Sequence, residues 1–355
     1  MKRMKSVLLL LIIMVLGTGY ATAQYHTTHA KAAMPGQQKG IYYALPRTVV
    51  QLDFIIEETE LLAGPYNEFV HLVGADEYIE EDGWEYYLAD VRMTTYAEPD
   101  PNATFFVEIN AKKGDAAEFY LTPKGILQGV GIPAQPVVTL PENKPETKLA
   151  SEQDRTFKYQ YGSKGMKSQE QMARAAADMI TRIREEKIKL LTGFQETAFT
   201  LETYRQMYAD LDQMENEYLS LFIGKRLVST MVKTVYVTPS KEVTTQTVGK
   251  FSTEDGFSAG VSGSGDVITF QALSLKTTGN INEPSTSVIE TFSHENKLFY
   301  RIPETANIKV TLNSEVLLER RETIAQYGVF MLAPLGKTKL ALDPNTGQII
   351  GMTTE

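Results

Sequence analysis

The chain has 355 residues, 43% hydrophobic and 10% aromatic, an ordinary composition for a folded protein that excludes wholesale disorder. It contains no cysteine, which excludes a disulfide framework, a thiolate nucleophile, a zinc ribbon and a lipid-bearing cysteine. Its 35 basic and 44 acidic residues give a net charge of −9, a field that repels phosphate backbones and anionic lipid and argues against nucleic acid or a membrane surface as the main partner.

Residues 1–23 read as a signal peptide. Lys2, Arg3 and Lys5 form a basic start, residues 7–16 are an unbroken apolar run, and Ala21-Thr22-Ala23 is an A-x-A cleavage site. An apolar run of about ten residues is too short to span a bilayer of about 30 Å. The expectation is an exported protein, periplasmic or secreted, that is not a lipoprotein and has no membrane span after cleavage. Losing the three basic residues with the leader takes the net charge to −12.

Residues 24–40 are polar and aperiodic and are expected to be a flexible leader. An N-terminal β-rich module is predicted over 41–132. Val50, Leu52, Phe54 and Ile56 alternate with Gln51, Asp53, Ile55 and Glu57, the two-residue period of a half-buried strand. Gly64-Pro65 introduces a short helix, and residues 76–82 form an acidic loop. Residues 84–96 alternate again, Pro99-Asp100-Pro101 is expected to turn the chain, and Phe105, Val107 and Ile109 face one side of the next strand. Pro133, Pro136, Pro141 and Pro145 mark a linker over 133–150.

A helical hairpin is predicted over 151–224, its helices preceded within that stretch by a possible strand at 156–161. Ser168 with Gln171 suits a capping box, and Met172, Ala176, Met179, Ile183 and Leu190 share a stripe up to Gly193. A second helix begins near Thr200 and ends at Gly224. Glu215 flanks its apolar stripe, where it either snorkels to water or meets a partner such as Arg182. A C-terminal β-rich module follows over 225–355, with short strands separated by Gly/Ser- and Asn/Ser/Thr-rich loops.

Chemistry-bearing motifs are sparse. His26 and His29 share an H-x-x-H spacing but sit in the expected leader, while His71 and His294 lack neighbouring ligands at zinc-site spacing. Gly260-Val261-Ser262-Gly263-Ser264-Gly265 has the wrong phase for a nucleophile elbow, and Asp266 stands where a phosphate loop needs lysine. Asp343-Pro344-Asn345-Thr346-Gly347 opens like a calcium loop, but its twelfth position is Thr354, so a hairpin turn is the better reading. No catalytic residue, metal ligand or cofactor is assigned. The one positive hint of binding is aromatic: Trp84, Tyr86, Tyr87 and Tyr96, which could stack on sugar rings. Against it, Trp84, Tyr86 and Leu88 point one way on a strand, as core residues do.

Four strings carry a family resemblance: Tyr42-Tyr43-Ala44-Leu45-Pro46-Arg47-Thr48, Thr95-Tyr96-Ala97-Glu98-Pro99-Asp100-Pro101, Phe299-Tyr300-Arg301-Ile302-Pro303 and Leu342-Asp343-Pro344-Asn345-Thr346-Gly347. They resemble the uncharacterised secreted proteins of Bacteroides and relatives, domain-of-unknown-function family 4831. The resemblance covers nearly the whole mature chain, implies a Gram-negative envelope setting and carries over no catalytic residue. The fold expected from the periods is α+β and mainly antiparallel β, with two sandwich-like modules and a helical hairpin between them. The function expected is that of a non-enzymatic binding or structural module for an envelope protein or glycan partner; the alternative is a glycan- or peptide-directed hydrolase using paired carboxylates.

Overall fold

A computed structural model describes residues 24–34, 39–110, 117–132, 146–159, 168–192 and 200–354. The expected signal peptide and most of the proline-rich linker lie outside these residues.

The fold is α+β and dominated by antiparallel sheet. Its first strands are β1 (Gln24–His29), β2 (Gly40–Leu62), β3 (Gly83–Asn110), β4 (Phe119–Leu121) and β5 (Leu127–Val130). Helices α1 (Glu152–Arg155), α2 (Gln169–Thr192) and α3 (Leu201–Ile223) follow. Then come β6 (Lys225–Val237), β7 (Thr245–Ser252), β8 (Gly256–Ala259), β9 (Asp266–Ser274), α4 (Thr286–Thr291) and β10 (His294–Glu295). The chain ends in β11 (Lys297–Leu312), β12 (Glu315–Pro334), β13 (Thr338–Leu342) and β14 (Ile349–Thr354).

Three sheets have the orders β10-β1-β3-β2-β6, β12-β11-β9-β7-β8 and β14-β13-β5-β4. Strands from either side of residues 133–150 therefore share sheets: β6 lies beside β2, and β13 beside β5. The reason is the length of four strands. β2, β3, β11 and β12 each run through two hydrophobic cores instead of ending between them. In the first core Leu52, Phe54 and Ile56 face Ile268, Phe270, Ile308 and Val310. In the second, Tyr43, Leu45, Phe105 and Val107 meet Leu127, Phe299, Leu340 and Leu342. Each fully buried Phe or Leu contributes about 1.5–3 kcal/mol relative to exposure.

The strand pairings correct two sequence expectations. Residues 24–29 are a strand, paired with β3 from Gln24↔Asn110 to His29↔Phe105 and with β10 at His26 and Thr27. The inward residues Tyr25, Thr27 and His29 are all buried, but two of the three are polar and hide the period. Their polar atoms find distant partners. The Tyr25 hydroxyl accepts from Ala117 N–H at 2.7 Å, and Thr27 donates to the carbonyl of Lys297. His26 and His29 consequently face opposite sides of the strand, so the H-x-x-H spacing gives no shared ligand set. The second correction is at Pro99-Asp100-Pro101, which does not end the strand: β3 continues through a bulge, with Pro99 opposite Pro46, Thr104 opposite Ala44, and residues 100–103 opposite Leu45 alone.

The helical hairpin forms as its stripes predict. Ser168 Oγ accepts from Gln171 N–H at 3.2 Å, Thr200 Oγ1 accepts from Thr203 N–H at 3.2 Å, and Gly224 ends α3 with φ 84°. Ala173, Ala176, Ile180 and Ile183 pack on Tyr218, Leu221, Phe222 and Tyr66. Glu215 does not snorkel, and its partner is not Arg182: it accepts from Arg184 at 2.6 Å and from Lys187 at 2.7 Å. The expected strand near 156 is absent from its described part, where α1 ends at Arg155 under a Ser151/Asp154 capping box.

Candidate functional site

The four strings of the family resemblance, scattered over 300 residues of sequence, meet at one place: the joint where the long strands pass from one core to the other. Arg301 is 3% exposed and is its hub. Its Nη2 donates to Asp100 Oδ2 at 2.9 Å, its Nη1 donates to the carbonyl of Pro46, and its guanidinium lies 4.8 Å from the Phe330 ring centre. The other Asp100 oxygen accepts from Asn102 N–H at 2.9 Å. The Arg301 backbone N–H donates to the Gly347 carbonyl at 3.0 Å. Gly347 has φ 76° and leaves no space for a side chain, since a Cβ there would lie 2.9 Å from the Pro46 ring. Tyr43 closes the circle, donating to the Phe299 carbonyl and accepting from its N–H.

A bulge on β12 completes the joint. Ile302 pairs with Val329 and Glu304 with Ile324, so residues 325–328 stand opposite Pro303 alone. Gln326 from this bulge acts as a short surrogate strand, accepting from Thr48 N–H at 2.8 Å and donating to the Thr48 carbonyl at 2.9 Å. Beyond the bulge, Glu304 is buried and accepts from the N–H and hydroxyl of both Thr277 and Thr278. Burial pushes its carboxyl up, but these hydrogen bonds outweigh that and hold its pKa at about 2.

A pocket of about 430 Å³ opens at the joint, lined among others by Lys31, Arg47, Asp100, Lys241, Arg301 and Phe330. A smaller one of about 340 Å³ lies behind the bulge, beside Glu304, Glu283 and Tyr327. A cleft of about 810 Å³ lies between α1, α3 and β6, where Glu217 holds Lys158 at 2.9 Å and Lys225 at 3.3 Å. Among the described residues no three His, Asp or Glu side chains are grouped to hold a metal ion.

The four aromatic candidates do not form one surface. Tyr86 and Leu88 pack against the first core, Tyr86 donating its N–H to the Thr253 carbonyl beside the β7–β8 turn. Trp84 points the same way but lies past that turn and is 46% exposed. Tyr87, on the opposite face, is 65% exposed. Tyr96 is roughly 40 Å further along the strand from Trp84. A one-residue bulge between them, where Ile55 pairs with Asp90 but Ile56 with Leu88, reverses which parity faces the core.

What Tyr96 does meet is Tyr236 of β6, edge to face with ring centres 6.3 Å apart. Burial and the neighbouring Glu98 push the Tyr96 phenol above its usual pKa, and Arg47 partly counters them. Tyr236 was legible as the outward phase of its strand, between inward Val235 and Val237, but nothing in the sequence pairs it with a residue 140 positions earlier.

No curated protein and no solved structure matches the chain. One family does, described as Domain of unknown function (DUF4831), over residues 39–350, which takes in both cores, the joint and the helical hairpin. With that match covering most of its length, the chain belongs to the DUF4831 family.

Proposed function

We propose that this protein is exported to the cell envelope and there binds a glycan without transforming it. The observation that carries the reading is the exposure of large aromatic side chains on the β10-β1-β3-β2-β6 sheet: Trp84, Tyr87 and Tyr236 are 46%, 65% and 62% exposed. Exposed rings keep their apolar planes available to a partner, and sugar rings present C–H faces that stack on such planes. The buried carboxylate of Glu304 supports binding over paired-acid hydrolysis. A general acid near neutral pH needs a raised pKa, whereas Glu304 is held ionised at about 2. The sequence of residues 1–23 supports export.

Affinity electrophoresis of the full chain through gels containing envelope and host polysaccharides tests the reading. Retardation by at least one polysaccharide, with no reducing ends released, is the expected result. Free migration through all of them, with a stoichiometric envelope protein recovered instead, would replace the glycan by a protein partner, and released reducing ends would replace binding by hydrolysis.

A further inference from the structure

We propose that the glycan seat is the outer face of β2, β3 and β6 around Tyr96 and Tyr236, and that it takes a neutral polysaccharide. The inference rests on the binding reading above and deepens it by naming residues and ligand class.

The ladder registers place the face residue by residue. Gln51 of β2 lies between Thr94 of β3 and Tyr236 of β6, and the next outward residue, Asp53, lies between Arg92 and Thr234. One step the other way, Tyr96 pairs with Val49, and Glu98 with Arg47. Adjacent strands are about 4.8 Å apart, so a ring seated on Tyr236 lies within one strand of Gln51.

The chemistry of this grid suits hydroxyl groups. Asp53 is buried beneath it: its Oδ1 accepts from Thr234 Oγ1 at 2.6 Å, and both of its oxygens accept from Gln51 Nε2, Oδ2 at 2.9 Å and Oδ1 at 3.1 Å. That anchoring fixes the Gln51 amide, so its carbonyl oxygen and the Thr234 hydroxyl lie in set positions beside the exposed Tyr236 ring. Directional polar groups next to an aromatic plane are what a sugar needs. A protein interface would call for an apolar core, which threonines and an amide do not supply.

Charge sets the class. Arg47 is paired with Glu98 at 3.1 Å and Arg92 with Asp90 at 3.3 Å, and Asp53 adds a negative charge. The chain as a whole is also acidic. An acidic polysaccharide would meet no uncompensated cation among these groups and a repelling field.

The test uses the full chain in affinity gels with dextran, mannan and xyloglucan as neutral probes and polygalacturonate as the acidic one. Retardation by a neutral probe is expected, falling tenfold or more in apparent affinity for Tyr236→Ala, an exposed site where the Tm should hold. Tyr96→Phe, which keeps the packing, should weaken it less, and Trp84→Ala should leave it unchanged. Loss on Trp84→Ala with Tyr236→Ala unaffected would overturn this seat while leaving glycan binding intact. Tighter binding to polygalacturonate would overturn the neutral class. Failure of wild type to bind any probe overturns the proposal and, if the wider polysaccharide panel also fails, the binding reading with it.

Discussion

Two buried cations hold this protein together in different ways. At the joint, Arg301 spreads its fork over a carbonyl 255 residues away in sequence and a carboxylate 201 residues away. In the helical hairpin, Lys187 donates to Asp212 and Glu215, 25 and 28 residues away, each at 2.7 Å. The arginine suits the joint because its planar guanidinium fixes two acceptors and stacks on Phe330, aligning segments that nothing local aligns. The lysine adds a point charge to helices that already meet through an apolar stripe. Burial of Lys187 favours loss of its proton, but the two carboxylates outweigh this and raise its pKa. The contrast is between a buried charge that specifies geometry and one that decorates geometry specified elsewhere.

The sharpest way to break the comparison is at its stronger end. Arg301→Met leaves Asp100 buried without its cation and should cost about 3–5 kcal/mol in chemical denaturation. Adding Asp100→Leu should recover much of that, because a buried pair replaced by apolar groups is often near neutral. A single variant as stable as wild type would mean that the joint does not depend on the pair.

Glu304 comes next. Its folded pKa of about 2 lies below the ordinary 4.5, so its contribution is complete above about pH 4.5 and is lost as pH falls towards 2. The shift corresponds to a contribution on the order of 3 kcal/mol. Glu304→Gln puts an amide among N–H and O–H donors and should cost about 2–3 kcal/mol at pH 7. The cost should shrink in acid, as wild type loses what the variant never had. Parallel stability curves for the two proteins from pH 7 to pH 2.5 would rule out this carboxylate as the acid-sensitive element of the joint.

These two sites also show where reading the sequence stops. The helical hairpin was legible because its caps and stripe, Ser168, Thr200, Ile183 and Gly224, act within a few turns of one another. The strand periods around Leu52 and Phe54 were legible for the same reason. The joint was not. Pro99-Asp100-Pro101 has the composition of a turn, and only pairing with the equally irregular Pro46 makes it a bulge inside a strand of 28 residues. Buried Arg301, Asp100 and Glu304 look like surface charges until strands far apart in sequence are brought together. Trp84 looked like a core residue because its phase matches Tyr86 and Leu88; where the core ends is a tertiary fact.

At the weaker end, Lys187→Met should cost less than Arg301→Met, about 1–2 kcal/mol. Asp212 is half-exposed and turns to water, and Glu215 keeps Arg184. A loss equal to that of Arg301→Met, measured in the same denaturant series, would place the two cations in one class and remove the contrast.

The smallest effect isolates the packing beneath that lysine. Lys189 lies two residues from Lys187 but on the exposed side of α2, where it pairs with Glu186 at 2.7 Å, both side chains being half-exposed. Lys189→Asp removes that pair and places a negative charge in the last helical turn, where the helix dipole disfavours it; each effect is worth a few tenths of a kcal/mol. The total should stay below about 0.5 kcal/mol. If Lys189→Asp matched Lys187→Met, net charge along α2 would govern the hairpin, and the position of Lys187 over Asp212 and Glu215 would carry no special weight. If it stayed small while Lys187→Met cost 1–2 kcal/mol, the difference would measure what burial adds to a hydrogen-bonded charge on the same helix.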